Sequence, residues 1–168
     1  MTNKIKEQHV SAASKTMASM NEDDANSYID NKFQAQSYLD KTMKGFENDE
    51  SIPKELVDQT FFILIYLFVI LDKAGQKIPT ITEQMFDETF LNLANYHDNE
   101  QSLKDEEELK EPHLLIAFMG LLKDQDTGGF NEIAISPMGK FLYCFVSIIT
   151  THLHISKSKN KRKRDRKK

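Results

Sequence analysis

Cysteine is almost absent from this sequence, and the single residue, Cys144, excludes both an internal disulfide framework and a zinc site built on several thiolates. Six glycines and four prolines are too few for a collagen-like or low-complexity chain. The longest apolar run, residues 61–71 (FFILIYLFVIL), would span about 16 Å as a helix, against about 30 Å of bilayer hydrocarbon. Asp58 and Gln59 bound it on one side, Asp72 and Lys73 on the other, so it reads as a buried core helix. Residues 1–20 contain no apolar stretch of signal-peptide length, and a soluble cytoplasmic protein is the expectation. No P-loop, GxGxxG, GxSxG or HExxH pattern occurs, so no enzyme activity and no cofactor are expected.

Arginine is missing from most of the chain. All three, Arg162, Arg164 and Arg166, lie in the last twelve residues (KSKNKRKRDRKK), which hold nine basic side chains against one aspartate, a net of +8. The first 156 residues carry thirteen lysines against twenty-five carboxylates, a net of −12, and no guanidinium with which to clamp a phosphate bidentately. The overall charge of −4 therefore hides an acidic body and a basic tail.

With 168 residues, 39% of them apolar and 29% charged, the chain is large enough for one domain with a core and too apolar for disorder. Periodicity divides it into a polar segment at 1–21, a helical domain at 22–156 and a disordered basic tail at 157–168. Residues 1–20 are Ala/Ser-rich with sparse apolar positions, a frayed helix or a tail. Tyr28, Ala35, Leu39, Thr42 and Phe46 recur at helical spacing and predict one helix over 24–46. A second helix over 54–73, apolar on every side, should be the centre of the fold. Thr80 and Glu83 form a capping box that opens a third, with Phe86, Phe90, Leu93 and His97 on one face. Pro112 opens a short apolar helix, and Ser136-Pro137 the last one, with Phe141, Phe145, Ile148, His152 and Ile155 aligned. The paired glycines of 124–135 (DQDTGGFNEIAI) predict a short β-hairpin or turn. The fold class is all-α, a compact bundle of about five helices.

Few residues offer chemistry. Asp124, Asp126 and Gly129 match positions 1, 3 and 6 of an EF-hand loop, but position 12 is Ile135, so the bidentate anchor is missing and a plain acidic turn is expected. His152 and His154 lie roughly 200° apart on a helix and cannot share an ion. His97 and His113 flank the acidic stretch 97–111; a His/carboxylate site there would be the enzymatic reading, and a packed or half-exposed histidine is preferred. No metal site is assigned. Cys144, flanked by Tyr143 and Phe145, reads as a buried structural thiol. Asp105, Glu106, Glu107 and Glu108 suit a solvated helix start, or alternatively a surface that holds the protein's own tail when no partner is present.

Residues 120–142, through KDQDTGGFNEIAI and SPMGKFL, resemble the end of a winged-helix domain, in which a helix leads into a hairpin wing and then a helix opening with Ser/Thr-Pro-x-Gly. That resemblance implies a recognition helix at 112–123. The segment offers only His113 and Lys123 around LLIAFMGLL, so no base reader is expected: either the module is absent, or a winged-helix-like scaffold serves packing here.

The tail carries the functional expectation. Lys157, Lys159, Lys161, Arg162, Lys163, Arg164, Arg166, Lys167 and Lys168 form the candidate polyanion-binding site. They suit RNA or DNA, with a membrane surface ranked behind. The expected function is a non-enzymatic helical adaptor whose acidic body binds a protein partner or a second copy of itself, while the tail attaches to a polyanion. The alternative is a sequence-nonspecific nucleic-acid-binding protein acting through the tail.

Overall fold

The computed structural model describes residues 4–97, 111–124, 126–127 and 129–165, the side chains of 93–97, 112 and 155–165 excepted. Among the described residues the architecture is all-α, with seven helices in order: α1 (Glu7–Ser19), α2 (Glu22–Gln34), α3 (Ser37–Asn48), α4 (Lys54–Lys73), α5 (Glu83–His97), α6 (Pro112–Leu121) and α7 (Pro137–Asp165).

Helix α4 is the axis of the fold. Every side chain from Ile63 to Leu71 is buried, because α1, α2, α3, α6 and α7 all pack around it. Its hydrophobicity on all sides leaves no face fit for water, so surrounding helices are the only stable solution. Gly75, at φ 63°, ends it in the left-handed conformation that glycine adopts without strain.

Two features differ from the sequence reading. Residues 7–19 form a docked helix, not a frayed end: Ile5 and Ala13 are fully buried, and the Ser14 hydroxyl lies 2.7 Å from the Tyr66 hydroxyl of α4. Small residues at 11–14 let α1 lie close on α4, where few apolar side chains suffice. The single helix expected over 24–46 is broken into α2 and α3 at Gln36, whose backbone leaves the helical region (φ −133°, ψ 58°). Buried Gln36 brackets the irregular stretch before α5, its amide donating to the Pro79 carbonyl at 2.8 Å and its oxygen accepting from Ile81 N–H at 2.9 Å.

The cap of α5 lies two residues later than expected: the Thr82 hydroxyl, not that of Thr80, accepts from Met85 N–H at 3.3 Å. Phe86 packs inward, its ring stacked on Phe141 of α7 at 5.3 Å. Phe90 departs from the expected core face; it is 48% exposed, with the Lys140 ammonium 6.0 Å from its ring centroid. The Leu93 and His97 side chains lie outside the described set.

The segment after α6 is a turn with a single antiparallel bridge, Lys123 to Phe130. Asn131 locks it by donating its amide to the Leu121 carbonyl at 2.9 Å. Ser136 caps α7 as expected, accepting from Gly139 N–H at 3.4 Å. Gly139 is required there: a Cβ would sit 2.3 Å from the Ile133 carbonyl oxygen and 2.7 Å from that of Ala134. Phe141, Phe145 and Ile148 are buried, as their spacing predicts, and His152 is half-buried.

Candidate functional site

The basic cluster begins where the described side chains end. The backbone of α7 carries Lys157, Lys159, Lys161, Arg162, Lys163 and Arg164, whose side chains lie outside the described set, as do residues 166–168 entirely. The expectation that the tail is unstructured therefore falls on residues whose side chains are not described, and so does the acidic run 105–108.

Just before the tail, His154 reaches a buried carboxylate that the sequence reading did not single out. Glu111, the residue preceding α6, is wholly buried at its side chain, and its Oε1 lies 3.1 Å from His154 Nε2. Oε1 also accepts from Lys4 N–H at 3.1 Å, and Oε2 accepts from Ile5 N–H at 2.8 Å. One carboxylate thus joins three segments: the entry to α1, the start of α6 and the end of the buried part of α7. A buried carboxylate without such donors would cost several kcal/mol. With both oxygens engaged and no face open to solvent, Glu111 is a bracket and not a catalytic base. Its only sequence signal was position, an acidic residue directly before a helix-opening proline.

The remaining polar candidates are scattered. His113 is half-buried on α6 and does not meet Glu111, while His9 Nδ1 accepts from Lys6 N–H at 3.1 Å. Among the described residues no group of three His, Cys, Asp or Glu side chains could hold a metal ion. Asp124 accepts from the backbone N–H groups of Asp126 and Thr127 at 2.8 and 2.9 Å, and these bonds hold its carboxyl below the usual range. Its oxygen is spent on the turn itself. Cys144 is buried, and burial pushes its thiol up, which disfavours the reactive thiolate.

A cleft of about 340 Å³ lies between the end of α2, the end of α4 and residues 76–78. Two of the charges that line it, Lys32 and Asp72, meet each other, Lys32 Nζ lying 2.7 Å from Asp72 Oδ1, and the Tyr28 hydroxyl donates to Asp72 Oδ2 at 2.6 Å. Burial and the Asp72 carboxylate together push the Tyr28 phenol well above its ordinary value. The group is a polar clasp between α2 and α4.

A different kind of surface lies around α6. Leu114, Phe118 and Leu122 face the core, whereas Ile116, Gly120 and Lys123 form the outward stripe. Ile116 is 65% exposed, Phe130 beside Lys123 is 62% exposed, and Ile135 in the turn before α7 is 79% exposed. Among the described residues of this stripe Lys123 is the one cation. No described helix is long and apolar enough to cross a membrane. Comparison of the chain with family models, curated proteins and solved structures returned no match.

Proposed function

We propose that this chain is a non-enzymatic helical adaptor, whose acidic body docks a protein while its polybasic tail attaches to a polyanion. The observation that carries the reading is the division of charge within one chain, −12 over residues 1–156 and +8 over residues 157–168. A body of that charge repels phosphate at long range, so the two parts suit different ligands. The exposed apolar side chains of α6 and the following turn support the body's share, because large apolar residues in contact with water favour burial against a partner. The tail contains no aromatic or apolar residue and can neutralise phosphates without stacking bases.

The test is fluorescence anisotropy of a generic labelled RNA, titrated with the full chain and with a variant carrying glutamine at the nine basic tail positions. Binding by the wild type at near-physiological salt, lost in the variant, supports the tail as the polyanion anchor. Equal binding by both proteins moves the polyanion site onto the body and refutes the division of labour.

A further inference from the structure

Helix α7 continues past the point where the described core stops. Its backbone runs unbroken from Pro137 to Asp165, past Leu153, the last buried residue among the described side chains, and into the basic cluster. Six of the nine candidate polyanion-binding residues, those between Lys157 and Arg164, therefore occupy helical register positions. The base of this extension is fixed. His154 Nε2 lies 3.1 Å from Glu111 Oε1, and the same carboxylate accepts from Lys4 and Ile5 N–H. The turn that leads into the cluster is thus tied to the start of α6 and to the entry of α1. A helix that continues from a formed turn avoids the costly nucleation that a detached peptide of this length would face. Ile155 to Asp165 add about 16 Å of helix to it.

The register decides which polyanion such a helix fits. At about 100° per residue, Lys157, Lys161 and Arg164 fall on one side, and Lys159, Arg162 and Lys163 on the other, the two groups about 180° apart. Of the two edges between them, one carries Asn160 and the other Ser158 and Asp165, the only carboxylate of the cluster. A membrane is a plane and can meet only one of the two cationic sides. A single strand offers one line of phosphates and is otherwise held by stacking on aromatic rings, which the cluster lacks. A helix lying in a duplex groove has a phosphate ridge on each side. The major groove of B-DNA, about 12 Å wide, admits an α-helix, whereas that of A-form RNA is too narrow. We infer that the polyanion of the tail is double-stranded DNA, bound in its major groove by the helical continuation of α7. The inference rests on the reading of the tail as a polyanion anchor and names its ligand. In that groove the Asn160 edge lies against the base pairs and the Asp165 edge away from them. Lysines and arginines set on phosphates position the helix and read no sequence.

Fluorescence anisotropy of the full chain at near-physiological salt tests this, with a labelled DNA duplex of mixed sequence, one of its single strands, and the RNA duplex of the same sequence. The DNA duplex should bind about tenfold or more tighter than either. Ser158→Pro with Asn160→Pro breaks the helix inside the cluster without changing its charge. That variant should lose about tenfold or more in duplex affinity, bind the single strand as the wild type does, and keep the wild-type urea midpoint. Ser158→Ala with Asn160→Ala, equally neutral and compatible with a helix, should bind the duplex as the wild type does. Guanine N7, which opens on the major groove, should be protected from dimethyl sulfate in the complex. A single strand, an RNA duplex or phosphatidylserine vesicles bound as tightly as the DNA duplex overturns the inference and leaves the polyanion reading standing. So does a proline variant that keeps its duplex affinity, an alanine variant that loses as much as the proline one, or guanine N7 left unprotected. Binding to none of these ligands overturns the polyanion reading itself, and the inference with it.

Discussion

Glu111 holds three segments together through one buried carboxylate, so its removal should act well beyond its own helix. Glu111→Ala would remove the acceptor of Lys4 N–H and Ile5 N–H and the carboxylate beside His154 Nε2, at a cost of about 3 kcal/mol. Urea unfolding should register the loss, and hydrogen exchange should place the first loss of protection in α1. Uniform loss over all helices would contradict the bracket. Gly139 is the converse case, a position defined by what it lacks. Gly139→Ala drives a Cβ into the Ile133 carbonyl and should cost about 2 kcal/mol in the same assay. Gly45 in α3 has open space around it, and Gly45→Ala should stabilise by about 1 kcal/mol. Tyr28 supplies a pH dependence. Its phenol is raised by burial and by Asp72, so the folded state favours the neutral form more than the unfolded state does. That contribution is complete below the ordinary phenol value of about 10 and is lost as pH rises beyond it. The urea midpoint should therefore fall in the alkaline range, and more shallowly in Tyr28→Phe; an unchanged slope would remove Tyr28 from the cause.

Elements were legible in the sequence where a local rule decides them. Helix α4 spans the expected residues because a continuous apolar run between charged ends has one solution in water, and Ser136-Pro137 opens α7 because cap and first-turn proline act over a few residues. The break between α2 and α3 was not legible. Tyr28, Ala35 and Leu39 keep the helical period straight across it, while the cause lies more than forty residues away, in the Pro79 and Ile81 backbone groups that Gln36 satisfies. Glu111 escaped for the same reason, since nothing local to EPH announces partners at Lys4, Ile5 and His154. Helix α1 was underestimated because its docking depends on the apolar surface of α4 more than on its own. The break makes its own prediction: Gln36→Ala leaves the half-buried Pro79 carbonyl and the buried Ile81 N–H without that partner and should cost about 2 kcal/mol in urea unfolding. Loss of protection should appear at residues 79–86 before α4. A variant as stable as the wild type would mean that water replaces the glutamine.

At the scale of the whole molecule the charge division sets a quantitative limit on binding. Nine cationic side chains can displace at most nine counterions, so the logarithm of single-stranded RNA affinity should fall against the logarithm of salt with a slope no steeper than about −6 per chain. The body, at −12, lies within a Debye length of part of any bound strand and opposes it, which makes the real slope shallower on a short oligonucleotide that one tail can cover. The slope is read as anisotropy across a salt series, on a short oligonucleotide that one tail can cover and on a long strand. A slope steeper than about −6 on either would mean that lysines of the body also reach the nucleic acid, and would contradict the division of charge between body and tail.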